Sequence, residues 1–73
     1  MLLLLLFAAQ IDLNNAPLNE IYTLPVDSAT ARTIYEYREL HGYFISVYEL
    51  RRIAGIDGTV FERVKPLVMI VQP

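Results

Sequence analysis

The sequence predicts a small all-α domain of four short helices closed by a short extended C-terminal tail. Three observations lead there. Apolar residues recur at helical spacing in short runs, each bounded by a Pro, Gly or Asp turn signal. Residues 24–31 read LPVDSATA and residues 53–60 read IAGIDGTV, each an aliphatic residue, a polar turn centred on an aspartate, and the start of a helix. The chain has 73 residues and no cysteine, which allows one small core without disulfide or thiolate-metal support.

Residues 1–9 stand apart as a leucine-rich run. They are too few to span a bilayer, which takes roughly twenty apolar residues. They resemble the hydrophobic stretch of a secretory signal, with Ala8 and Ala9 near a cleavage point. No Lys or Arg precedes the leucines, and Phe7 sits where cleavage after Ala9 would want a small residue. On this reading the chain is exported, to the periplasm or beyond, and residues 10–73 form the mature domain. The alternative is a buried terminal helix or strand.

From Gln10 onward each element has its own signals. Pro17 suits the first position of a helix, where its missing N–H is no loss. Leu18, Ile21, Tyr22 and Leu24 then give one apolar side, and Pro25 ends the segment after about two turns. Asp27 or Ser28 caps the next and longest helix. Ala31, Ile34, Tyr35 and Arg38 share a face of it, and Gly42 supplies a left-handed stop. Ser46 and Glu49 form the Ser-x-x-Glu pattern of a capping box ahead of Val47, Leu50 and Ile53, and Gly55 interrupts that helix. The last helix is expected from about Thr59 to Lys65, with Val60, Phe61 and Val64 inward and Pro66 as its stop. The β-branched, apolar LVMIV that follows reads as an extended tail packed on the helices.

Laid over one another, the two halves place Leu24 on Ile53, Pro25 on Ala54, Val26 on Ile56, Asp27 on Asp57, Ser28 on Gly58 and Ile34 on Val64. The first copy, at about 16–41, lacks a counterpart of Gly55; the second runs over about 46–66. This is a duplicated helix-turn-helix unit.

The order of motifs is Ile11-Asp12-Leu13-Asn14, Glu20-Ile21, Leu24-Pro25, Ala29, Ala31, Ile34, Tyr37-Arg38-Glu39, Gly42, Phe44, Ser46, Glu49-Leu50, Gly55-Ile56, Glu62 and Lys65-Pro66. Over residues 10 to 71 it resembles the tandem helix-hairpin-helix domain of ComEA-type DNA-uptake (competence) proteins. The resemblance implies a SAM-like orthogonal bundle of four helices whose hairpins sit side by side and grip duplex DNA across the minor groove without reading sequence. A glycine-rich turn leading into a helix can offer backbone N–H groups and the positive dipole end to a phosphate. Contacts of that kind position a protein on nucleic acid and carry no base code.

The DNA-backbone contacts are therefore expected at Val26, Asp27 and Ser28 in the first hairpin. In the second they are expected at Gly55, Ile56, Asp57, Gly58 and Thr59, with Arg32, Arg63 and Lys65 as supporting cations. Departures from the family fall on these positions. Both glycines of the first Gly-Ile-Gly are absent, Asp57 replaces a glycine of the second, and Thr30 and Thr59 stand where the family carries lysines. A carboxylate there caps a helix well but repels a phosphate.

Net charge is −2, from eight acids against six bases, whereas binders of the phosphate backbone usually carry a basic stripe. Of the bases Arg32, Arg38, Arg51, Arg52, Arg63 and Lys65, the last four lie in the second copy. Asp27 and Asp57 read as helix caps in preference to metal ligands, and Arg51-Arg52 as a solvated helix face. The tyrosines read as amphipathic core filler, and His41 as a complement to a helix C-terminus. A single histidine and no cysteine leave zinc without ligands and catalysis without its usual general base. No enzyme activity, cofactor, metal or small-molecule substrate is expected. Two readings remain, a weak, non-specific duplex DNA binder and a structural or protein-interaction module that kept the fold after losing phosphate affinity.

Overall fold

The computed structural model describes residues 10–72. The leucine-rich run, and with it the expectation of export, lies outside the described residues. Within them the chain runs β1 (Ile11–Asp12), α1 (Leu18–Ile21), α2 (Ser28–His41), a 3-10 helix (Val47–Arg52), α3 (Gly58–Val64), a 3-10 turn (Lys65–Leu67) and β2 (Val68–Met69). The four-helix expectation holds, in a small all-α helix-hairpin-helix arrangement with one minimal strand pair.

Both copies feed one core. Leu13, Ala16, Ile21, Leu24, Ala31 and Ile34 come from the first half, and Leu50, Ile53, Ile56, Phe61, Val64 and Val68 from the second. Phe44, from the connection between them, is fully buried at the seam and stacks on Tyr37 at 5.0 Å. Burying such side chains favours folding by roughly 1.5–3 kcal/mol each.

Element boundaries differ from expectation in four places, each for a local reason. Pro17 is the N-cap of α1 and not its first residue: its φ of −72° and ψ of 162° are extended, while its carbonyl accepts from Ile21 N–H at 3.2 Å. After four α-helical residues the chain tightens, with Thr23 N–H donating to Glu20 O and Leu24 N–H to Ile21 O, so the second expected turn exists in i→i+3 form. The helix after Ser46 is 3-10, which leaves fewer end groups unpaired in a six-residue segment than an α-helix would. Pro66 sits inside the 3-10 turn that continues α3: lacking an N–H it cannot extend the α ladder, and the chain narrows instead of stopping.

Caps are satisfied as the sequence implied. Ser46 Oγ accepts from Tyr48 N–H at 3.1 Å, and Glu49 Oε2 accepts from Ile45 N–H at 2.6 Å and Ser46 N–H at 3.1 Å. Tyr37 Oη donates to the other carboxylate oxygen of Glu49 at 3.0 Å, which ties α2 to the 3-10 helix. Gly42 has φ 86° and ψ −160°, a positive-φ conformation but not the left-handed helical one, so the chain leaves α2 extended.

The tail is not merely packed on the helices. Val68–Met69 pairs in parallel with Ile11–Asp12, Ile11 opposite Val68 and Asp12 opposite Met69. Asn14, 5% exposed, completes the closure: its Nδ2 donates to Phe44 O at 3.1 Å and Val71 O at 2.9 Å, and its Oδ1 accepts from Phe44 N–H at 2.7 Å. Arg38 lies on the same turn and donates to the carbonyls of Leu13 at 2.8 Å and Ala16 at 2.7 Å. The one α2 cation on the core side is thereby committed to structure.

Two outcomes test this account. Asn14→Ala leaves two carbonyls and an amide without partners, so we expect a loss of about 3 kcal/mol. Thermal denaturation should then show a midpoint lower by on the order of 10–20 °C; an unchanged midpoint would mean the three segments are held by packing alone.

The second outcome concerns acid. Burial disfavours the charged form of Asp12, yet donation from Asn15 and from the Asn14 and Val71 amides, with Arg38 nearby, holds its carboxyl below the ordinary value of 3.8. In Glu49 burial is likewise outweighed by the Ile45 and Ser46 amides, Tyr37 and Arg52, which hold it below 4.5. Both groups bind protons less readily folded than unfolded, so their contribution is complete above the ordinary values and is lost as pH falls through the lower folded ones. The melting midpoint should be flat near neutrality and decline once pH passes below about 4.5. Glu49→Gln should shrink that decline.

Candidate functional site

The two hairpins are built from equivalent residues and differ by the one-residue deletion. In the second, Ile56 N–H donates to Ile53 O at 3.1 Å, a four-residue turn. In the first, Val26 N–H donates to Leu24 O at 2.8 Å, closing the same pair of positions in one residue fewer. The missing residue is the counterpart of Gly55, which has φ 96°. The first hairpin is thus a tightened turn with no glycine, and the second keeps the wider loop.

Each aspartate caps the helix that follows. Asp27 Oδ1 accepts from Thr30 N–H at 2.7 Å, and Asp57 Oδ1 accepts from Val60 N–H at 2.9 Å. The Thr30 hydroxyl and its amide hold the Asp27 carboxyl below the ordinary aspartate range. Thr30 and Val60 are therefore equivalent positions, as the overlay of Asp27 on Asp57 requires. Among the described residues, the first two amides of each helix, Ser28 and Ala29 in α2 and Gly58 and Thr59 in α3, meet no acceptor.

Thr30 has a further task. It is 6% exposed, and a Cβ on Gly55 would lie 2.2 Å from its Oγ1 and 3.2 Å from its Cγ2. The second hairpin rests its bare backbone on the first turn of α2, so the two copies are in contact where their hairpins are. Gly58, by contrast, has open space around it.

Of the residues expected to meet DNA, Asp27, Ser28, Gly55, Asp57, Gly58 and Thr59 are exposed, Val26 is half-buried and Ile56 is buried. Val26 and Ile56 pack against or within the core, so only their backbone can contribute to a contact. The supporting cations do not converge. Arg32 pairs with Glu36 at 3.3 Å and reaches Tyr22 Oη at 3.4 Å on the solvent side of α2. Lys65 Nζ lies 5.5 Å from the Tyr48 ring and 5.8 Å from that of Phe61. Arg63 is exposed on α3.

Arg51 and Arg52 are exposed, as a solvated helix face requires, and line an open depression together with residues 53–57 of the second hairpin. The signal was available: they stand at the end of the capped helix whose next turn is Gly55-Ile56. Charge divides accordingly. Residues 1–45 carry five acids against two bases, and residues 46–73 three acids against four bases. Both side-chain ion pairs among the described residues, Arg32 with Glu36 and Arg38 with Glu39, involve first-copy cations. No three His, Cys, Asp or Glu side chains gather among the described residues.

The contact between the copies can be measured through Gly55. Gly55→Ala meets both a positive φ and the Thr30 side chain, and should destabilise the domain by about 2–4 kcal/mol. In a Thr30→Ala background the approaches to Oγ1 and Cγ2 are removed and only the 3.3 Å approach to Cβ is left, so the same change should cost little more than the backbone share of about 1–2 kcal/mol. Additive effects in a denaturant double-mutant cycle would show that Thr30 and Gly55 do not touch.

Comparison with known proteins agrees with this geometry. Residues 7–69 match the family described as helix-hairpin-helix motif. The chain is 42% identical over 57 residues to Endonuclease/exonuclease/phosphatase family domain-containing protein 1 of Homo sapiens and of Mus musculus, a stretch covering 77% of this chain. It spans about a tenth (10%) of the length of these curated relatives. With two capped hairpins, a shared core and a family match over nearly its whole length, the chain belongs to the helix-hairpin-helix family.

Proposed function

We propose that this domain is a non-catalytic module that holds the phosphate backbone of duplex DNA weakly and without sequence preference. The helix-hairpin-helix motif is associated with nucleic-acid binding in general. One observation carries the reading to this chain: Arg51 and Arg52 border the depression at the one hairpin that keeps its glycine turn. The backbone supplies uncommitted amides there, and the arginines supply charge with no carboxylate within ion-pair distance among the described residues.

The finer form of the proposal is a role in DNA uptake like that of the ComEA-type proteins, with the chain exported by way of its leucine-rich run. In a longer chain such a module would act by tethering, which raises the effective concentration of DNA for whatever is attached to it.

A second reading has its own observation. Both aspartate carboxylates sit on the third amide of their helices, and net charge is −2, which suits a structural or protein-interaction module without phosphate affinity.

Titrating a labelled thirty-base-pair duplex with residues 10–73 at several salt concentrations separates the two. Backbone gripping through one hairpin should give log Kd a dependence on log salt with a slope of about 1–3, and replacing Arg51 and Arg52 by Ala should lower that slope by about 2. Asp57→Asn keeps a capping oxygen and removes the negative charge, so affinity should rise. Absent or salt-independent binding would leave the interaction-module reading.

A further inference from the structure

Tyr48 projects from the 3-10 helix that leads into the second hairpin, and 59% of it is exposed. Its ring is held from one side by the buried Phe61, with centroids 5.5 Å apart and planes at 36°. Two cations approach the same aromatic pair: Lys65 Nζ at 5.5 Å from the Tyr48 ring, and the Arg51 guanidinium at 5.5 Å from that of Phe61. Arg51 also borders the hairpin depression. An aromatic platform and the phosphate-facing hairpin are therefore joined through one arginine.

Acids are kept off this platform. Glu49, next in sequence, is turned toward α2, where it accepts from Tyr37 Oη and from the Ile45 and Ser46 amides. Neither Arg51 nor Lys65 has a carboxylate within 4.0 Å among the described residues. An exposed tyrosine, packed on a buried neighbour and with unpaired cations at its ring and at that of Phe61, complements a ligand that has a flat π face and a negative backbone.

We infer that Tyr48, with Lys65 and Arg51 beside it, is a stacking site for an unpaired nucleobase, so that the module favours DNA carrying a single-stranded extension next to the duplex. Every base has a π face, so the site adds preference for strand state and not for sequence. The inference deepens the duplex reading above and rests on it for the neighbouring contact, while the stacking itself can be read without it.

The test compares three probes on the same 73-residue chain: a blunt thirty-base-pair duplex, that duplex with a ten-nucleotide single-stranded extension, and the extension strand alone. Fluorescence anisotropy should show the extended duplex binding about fivefold or more tighter than the blunt one. Tyr48→Ala and Tyr48→Leu should both abolish that difference and leave blunt-duplex affinity unchanged; Tyr48→Phe should keep it. Tyr48→Leu preserves apolar contact with Phe61, so a folded variant is in hand even if Ala loosens the site.

Equal binding of blunt and extended duplex overturns the inference and leaves the duplex reading intact, as does a preference that Tyr48→Leu retains. Tyr48-dependent binding of the single strand with no affinity for blunt duplex supports the stacking site and overturns the duplex reading. No binding of any probe overturns both.

Discussion

The fold depends on one buried side chain. Asn14 uses both its donors and its acceptor on backbone groups of Phe44 and Val71, and so ties the chain's beginning, middle and end at a single point. The elements around it cannot stand alone. An α-helix of four residues, a 3-10 helix of six and strands of two residues each are far below the lengths at which such elements persist in water. They exist because the core closes over them, and the closure has a register because a buried amide accepts no substitute partners. Arg38 reinforces the same turn from α2, and Asp12 organises it from within by accepting from the Asn14, Asn15 and Val71 nitrogens.

The domain has two corresponding hairpins, and a difference of one residue makes them unequal. Without a counterpart of Gly55, the first turn closes over Leu24 and Val26 and leads into α2, whose first turn is occupied by Thr30 packing on the other hairpin. Its nearby cation Arg32 is given to Glu36. The second turn keeps its positive-φ glycine and stands beside two arginines. One copy has become support for the other. The charge distribution follows the same division, and an overall value of −2 conceals a second half in which bases outnumber acids.

Much of the fold was legible because its signals are local. Asp27, Asp57, Ser46 and Glu49 cap where short-range chemistry says they must, and the inward residues of each helix follow from spacing. The correspondence of the two turns was legible too, since the residues that close and cap each one match in sequence. What escaped were the long-range pairings. Nothing near Ile11 announces a partner fifty-seven residues away at Val68, because a two-residue strand has no period to read. Asn14 was visible only as part of a motif, and its role depends on which carbonyls surround it after folding. The site was half legible for the same reason. Sequence located the hairpins and named the cations, but that Arg51 and Arg52 border the second turn depends on packing that no local pattern announces.

The aspartate caps pose the sharpest physical question for function, and geometry answers part of it. A carboxylate at the N-cap engages the third amide of its helix and leaves the first two, at Ser28 and Ala29 or at Gly58 and Thr59, without an acceptor among the described residues. A phosphate approaching those amides gains their dipoles and meets a fixed negative charge at short range, so the helix end alone offers little net attraction. Additional cations must tip the balance. At the first hairpin the nearby guanidinium already has a carboxylate partner, and the repulsion stands unopposed. At the second, Arg51 and Arg52 share the depression with Asp57 and outnumber it, so the local charge favours an anion although the chain as a whole does not. On the proposed reading, the phosphate contact falls to the second hairpin alone, where two exposed arginines would set its affinity and salt would weaken it readily.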